Sequence, residues 1–485
     1  MDSLVLHNGT IVTVDEDNRI IKNGTVRVGS NGRITAVEPS SADTTPSEAD
    51  RAIDVDGKIV IPGLIDAHRH TDFTLVQGLF SELQGGELLK EAIALYHRAE
   101  ADLDDAFFDA AWRLASLRQL SHGVTTVNAM DFTPELGAET LGEAGLRGVV
   151  GPELADLIKP AGPEAQLAEA REFIEEYHGA YEGRIAASIA PGGEAGCSGE
   201  LWEGIADLRT EYPDLRLHTH IYDSPEADTM AAGSGADDPL ALLEAHDLLD
   251  DRTLLTHVLH AGREEARRIA ESGAHVLHCP TIYSYFRAGE QAWFPLPALQ
   301  EYGVNVAIGL DDPFWFDSWD LLQEAKHARL LANYEYGAQQ WTSYELLKTV
   351  TINGARALGL ADEVGSLEVG KRADIVVLDP KPARHLPFSN VPSVVMNTLT
   401  GGDVATVVVD GEILMHEGIV ESMDPESVIT AAEDARDRLQ DTTGWATSLA
   451  GSSPPETSIA RRIAARPTLR VLKQYGQGFL SEHLP

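Results

Sequence analysis

VIPGLIDAHRHTD, residues 60–72, opens as an apolar run and closes on His68, Arg69 and His70. In a strand, residues i and i+2 share a face, so both imidazoles can reach one ion. The chain reads differently on either side of this stretch. Upstream lie SLVLHNGTIVTVD, NGTVRVGSNGRITAVE and RAIDVDGKIVIPG, alternating apolar segments with Asn-Gly punctuation. They predict hairpins in a small antiparallel sheet. From Pro62 the rhythm becomes strand, loop and helix in turn: HGVTTVNAM follows the helical AFFDAAWRLASLRQL, and AHVLHCP follows the helical GREEARRIAES. That alternation predicts parallel βα units and an α/β fold. A chain of 485 residues suits a large barrel plus a satellite. After Leu360 strands return in GSLEVGKRADIVVLD and VATVVVDGEIL, so both chain ends are expected to build one satellite sheet.

The composition narrows the partners. Asp and Glu total 77 against 37 Lys and Arg, a net charge of −40, and only nine of the basic residues are Lys. Such a charge repels nucleic acid and anionic membranes, so neither is expected as a partner. The acids are spread along the chain as a solvated surface, which reads as adaptation to high salt, where screening removes self-repulsion. Cys197 and Cys279 are the only cysteines; they make no disulfide framework and suit a cytoplasmic chain. The first twenty residues lack the basic and apolar regions of a signal peptide. No apolar run approaches the ~20 residues that span a bilayer. A homo-oligomer is left open.

His68 and His70 gain meaning from distant partners. His220 closes LRLHTHI, His257 closes RTLLTH, and Asp311 closes VNVAIGLD. Each ends an apolar strand, and in a (β/α)8 barrel the C-terminal strand ends converge on the site. Three imidazoles with one carboxylate suit one borderline divalent ion, Zn or Fe. His-x-His alone is weak evidence; the ordered set is strong.

PGLIDAHRH, HTHIYDS, LLTHVLH, HCPT, VAIGLD, TINGARALGL and GSLEVGKRADIVVLD, in that order, resemble the amidohydrolase superfamily. Within it the likeness is to the branch of guanine, cytosine and S-adenosylhomocysteine deaminases and triazine hydrolases. It covers residues 3 to about 420. The resemblance implies a TIM barrel over residues 62–362 and a composite β-sandwich from 1–61 and 363–423. Residues 424–485 are left as a helical and irregular extension, read as an appended, partly mobile tail. It implies one metal held by His68, His70, His220 and Asp311, with His257 orienting the attacking water or the substrate. Asp223 falls where the family has a glutamate. The implied chemistry is hydrolytic: a metal lowers the pKa of bound water from 15.7 to about 7, and the resulting hydroxide attacks an electrophilic ring carbon. Asp311 accepts the displaced proton, and Asp223 protonates a ring nitrogen and serves the departing amine.

Other residues are read more plainly. His218 shares a face with His220 but lies deeper, as a histidine behind the ligands or a satisfied core residue. The strand that carries a bridging lysine or glutamate in binuclear relatives reads GRIAASIAPGGEAG, without lysine, which favours one metal; Glu194 keeps a second open. Tyr283, Arg287, Trp293 and Trp315 follow the seventh and eighth strands and are candidates to wall a planar heterocycle. The family's Ser-Asn after HCP-x is replaced here by Ile282-Tyr283. The expected activity is deamination of a purine, pyrimidine or triazine. Hydrolysis of a ring amide or of a non-ammonia leaving group is the second reading, and a catalytically silent metal-binding paralogue the third. One local requirement follows: i and i+3 do not share a strand face, so the chain must leave regular geometry at Ile221-Tyr222 for Asp223 to join His220.

Overall fold

Pro62 and Leu64 belong to different sheets. The computed structural model describes residues 3–41, 50–80, 104–286, 294–313, 318–337, 340–386, 389–448 and 451–453, with isolated positions between 83 and 95 and Pro455. The chain starts with β1 (Ser3–Val12), β2 (Ile20–Val28), β3 (Ile34–Pro39), β4 (Asp50–Asp54) and β5 (Ile59–Pro62). Eight barrel strands follow: β6 (Leu64–Arg69), β7 (Val124–Asp131), β8 (Arg147–Leu154), β9 (Ile185–Pro191), β10 (Arg216–Ile221), β11 (Thr253–His257), β12 (His275–His278) and β13 (Val306–Ile308). Four more, β14 (Ile375–Leu378), β15 (Val404–Val409), β16 (Glu412–His416) and β17 (Ile419–Val420), return to the first sheet, and a short hairpin, Ala446–Ser448 with Gly451–Ser453, follows.

That first sheet runs β17-β16-β15-β14-β5-β1-β2-β3, with β4 beside β1. Both chain ends therefore build one satellite, as expected. Leu4, Ile11 and Val26 share a core with Leu367, Ile375 and Val408. The hairpin reading holds for β1–β2 and β2–β3, which are antiparallel. It fails for RAIDVDGKIVIPG, which splits at the Asp56-Gly57 turn into β4 and β5, both parallel to β1. Local alternation cannot distinguish a hairpin partner from a strand delivered by a longer connection.

In the second sheet the order is β13-β12-β11-β10-β9-β8-β7-β6, with every neighbouring pair parallel. β13 meets β6 where the Asp311 N–H donates to the His68 carbonyl at 2.9 Å, closing the (β/α)8 barrel. That junction needs Gly309, because a Cβ there would lie 2.5 Å from the His68 nitrogen. Parallel strands covered by helices bury both faces, hence the continuous apolar runs. A buried ion network ties barrel to satellite: Arg147 reaches Asp374 at 3.2 Å and Asp410 at 3.6 Å.

The helical start of the C-terminal extension is the helix Pro425–Thr443, and it is docked. Val428, Ala432, Ala435 and Leu439 form one buried stripe, and the last three of these, with Trp445, share a core with Phe107 and Phe108 of the helix Asp105–Ser121. Trp445 meets Phe80 edge-on, with centroids 5.2 Å apart. Burial of each large side chain contributes about 1.5–3 kcal/mol, so this part of the extension is docked. Among the described residues no helix is long and apolar enough to cross a membrane.

Candidate metal centre

β6 and β10 place their histidines in two steps across the barrel. Deeper, His68 Nδ1 lies 2.8 Å from His218 Nε2; one step outward, His70 Nε2 lies 3.1 Å from His220 Nε2. The i, i+2 spacing on both strands produces this pairing. Its contact with His218 leaves His68 Nε2 pointing at Asp311 Oδ2, 3.6 Å away. His257 Nε2 approaches the same oxygen at 3.7 Å. His220 and His257 stack at 9°, with centroids 5.2 Å apart.

Could a cation fit among these donors? His68 Nε2 and Asp311 Oδ2 are buried without a hydrogen-bond partner, an expensive arrangement unless something else satisfies them. The donor atoms of His68, His70 and His220 lie within 4.8 Å of one another, as do those of His68, His257 and Asp311. Burial and then neighbouring imidazoles push His68, His70 and His257 well below the ordinary histidine range. Burial takes His220 down to about 4 and His218 to about 3. All five are neutral at pH 7, the form a metal ligand requires. Burial pushes Asp311 up to about 7, and a neighbouring cation would favour its charged form. The set fits a divalent ion.

The backbone bends sharply at these strand ends. Tyr222 has φ +53, His257 +77, Val258 +55 and Asp311 +63. Non-glycine residues in this region cost on the order of 1–3 kcal/mol each and cluster at functional sites. The departure required at Ile221-Tyr222 thus occurs at Tyr222. Its N–H donates to Glu194 Oε1 at 2.9 Å, and its carbonyl accepts from the N–H groups of Leu259 and His260 at 3.0 and 3.1 Å. Asp223 follows directly. The residue keeps some solvent contact, but its carboxyl is surrounded by protein, and burial pushes it up to about 6. Glu226 is engaged in its own turn, accepting from Ser224 Oγ at 2.7 Å.

Tyr283 is only 1% exposed. Its hydroxyl donates to Glu335 and accepts from the Phe294 N–H, and its ring packs in the barrel core, so the structure does not bring it to the centre as a pocket wall. Arg287, Trp293 and Trp315 lie outside the described residues. Three groups near the centre drew no attention in the sequence. Glu153 ends β8 with Oε2 3.9 Å from His70 Nδ1, and burial pushes it up to about 7; the signal was a carboxylate closing VVGPEL. Asp312 has a carboxylate oxygen within reach of His70 and Asp311 donors. Arg69 alternates away from its two histidine neighbours, fully buried with its guanidinium 3.8 Å from the Trp319 ring centroid.

Residues 59–414 match the model of the amidohydrolase family. The chain is 32% identical to the 5'-deoxyadenosine deaminase of Methanothermobacter thermautotrophicus, covering 86% of this chain and 95% of that protein. It is 30% identical to the 5-methylthioadenosine/S-adenosylhomocysteine deaminase of Moorella thermoacetica, over 88% and 97% of the two chains. Among solved structures, a zinc-bound adenosine deaminase from Xanthomonas campestris superposes with a TM-score of 0.82 at 26% identity, over 90% of this chain and 98% of the other. The chain belongs to the amidohydrolase family. It is a metal-dependent hydrolase of the deaminase kind, acting on carbon–nitrogen bonds of a small molecule.

Proposed function

We propose that the protein deaminates a purine nucleoside of the 5'-deoxyadenosine type, replacing the exocyclic amine by oxygen and releasing ammonia. The carrying observation is that His68 joins His70 and His220 in one donor group and Asp311 in another, with its Nε2 and the Asp311 Oδ2 buried, without a hydrogen-bond partner and 3.6 Å apart. Near-complete coverage of two nucleoside deaminases supports the substrate class. We assign those four residues to one divalent ion, zinc or iron. When bound, such an ion lowers the pKa of a coordinated water to about 7 and so supplies the nucleophile.

The chain's own groups handle the protons. Asp311 Oδ2 faces both His68 and His257 and takes the proton that the attacking water gives up. His257, neutral and rigidly stacked on His220, orients that water. Asp223 protonates a ring nitrogen and passes a proton to the departing amine. We place the enzyme in the cytoplasm of a salt-rich cell.

The test is ammonia release from 5'-deoxyadenosine, 5-methylthioadenosine, S-adenosylhomocysteine, adenosine, guanine and cytosine at molar KCl, with zinc or iron supplied. Asp223→Asn should abolish turnover with metal content intact, because it removes the ionisable group and nearly preserves shape. Near-wild-type turnover by that variant would remove Asp223 from the mechanism. No ammonia from any nucleoside would reject the substrate class.

A further inference from the structure

Aspartate at position 223 is one methylene, roughly 1.5 Å, shorter than the glutamate of the resembling branch, and the loop after β9 carries what compensates. Gly193 (φ +89) lies so close to β10 that a Cβ would fall 2.6 Å from the His220 carbonyl oxygen. The next residue, Glu194, is 5% exposed and accepts the Tyr222 N–H. Tyr222 is thus held on both sides: its N–H by the loop after the fourth barrel strand, its carbonyl by Leu259 and His260 after the sixth. It is also the residue whose left-handed backbone decides where Asp223 points.

We propose that Glu194 is a positioning residue, fixing the Tyr222 turn so that the short Asp223 carboxyl reaches the reacting atoms. The proposal rests on Asp223 being the proton carrier. Electrostatics agree with the geometry. Burial, and then the charge of Asp223, push Glu194 up to about 8, with Asp228 a weaker contributor. At neutral pH the two carboxyls therefore share one proton and carry one negative charge. A protonated carboxyl retains a carbonyl oxygen to accept the Tyr222 N–H.

The experiment uses full-length, metal-loaded enzyme with 5'-deoxyadenosine as the probe substrate. A misplacement of ~1 Å costs on the order of 100-fold in rate. Glu194→Ala should therefore lower kcat by about 10- to 100-fold with KM little changed, and Glu194→Gln, which keeps an acceptor oxygen, should recover most of it. In an Asp223→Glu background, where the side chain regains its reach, Glu194→Ala should cost less than about 3-fold. Hydrogen exchange supplies a readout independent of turnover: the peptide containing Tyr222 should exchange faster in Glu194→Ala and at the wild-type rate in Glu194→Gln. Equal losses from Glu194→Ala in both backgrounds, or unchanged Tyr222 exchange, would overturn the inference and leave Asp223 as acid untouched. Loss of the Asp223 assignment is read separately, from full activity of Asp223→Asn.

Discussion

Gly193→Ala tests how tightly the centre is built. Two costs act at this position: the backbone is left-handed, at φ +89, and the new methyl would meet the His220 carbonyl oxygen at 2.6 Å. Real Cβ contacts essentially never fall below 3.0 Å, so 3.0 against 2.6 Å forces a shift of at least 0.4 Å, and the obstacle is backbone. Gly235 supplies the control: its φ is +88, but nothing lies within 4 Å of its ideal Cβ. Gly235→Ala should therefore cost only the conformational term, about 1–2 kcal/mol. Gly193→Ala should cost that plus an overpacking term of about 1–3 kcal/mol. Because the methyl pushes on His220, the extra cost should also appear as metal loss. The assays are thermal melting and metal content after dialysis, for wild type and both variants at the same salt concentration. Equal melting losses in the two variants, with full metal retention in Gly193→Ala, would refute the claim that this loop braces His220.

Asp311→Ala and His220→Ala should each lose most of a metal content near one ion per chain; full retention by both would refute the ligand assignment. With a net charge of −40, the melting temperature should rise from dilute buffer to molar KCl as repulsion is screened, and a flat or falling trend would refute the high-salt reading. The raised Glu194 pKa, about 8 against 4.5, means the folded state holds a proton that the unfolded state lacks between those pH values. Stability from this group therefore falls as pH rises through that window, by up to about 1.4 kcal/mol per unit. Glu194→Gln should flatten the decline between pH 7 and 8, where unfolded histidines, with an ordinary pKa of about 6.5, are mostly neutral; an unchanged slope in denaturant titrations would contradict it.

The barrel was legible because its signals repeat. Every barrel strand ends beside the site, so His68, His70, His220, His257 and Asp311 announced themselves as polar residues closing apolar runs. The satellite's two halves were legible from shared strand texture, but the parallel pairing of β4 and β5 with β1 was not, since alternation carries no direction. The docking of Pro425–Thr443 was also hidden: a stripe of Val and Ala is weakly apolar, and its partners Phe107 and Phe108 lie far away in sequence. Glu153 escaped because a lone carboxylate at a strand end has no sequence partner to mark it.

Asp223 and Ile282-Tyr283, where the sequence departs from the pattern it resembles, lie outside the proposed ligand set, and physical chemistry favours that. A metal ion fixes its donors to within tenths of an ångström, so the ligand side of the barrel has little freedom to vary. Substrate contacts only need to agree with one another. Here Asp223 replaces a glutamate, while Ile282-Tyr283 replace Ser-Asn and send the Tyr283 hydroxyl inward to Glu335. Two polar groups that could have met a substrate directly are thereby shortened or withdrawn. A shortened acid also demands that its backbone be held more firmly than a long one, because it has one side-chain torsion fewer with which to make up the distance. The Glu194 bond to Tyr222, the residue before Asp223, meets that demand.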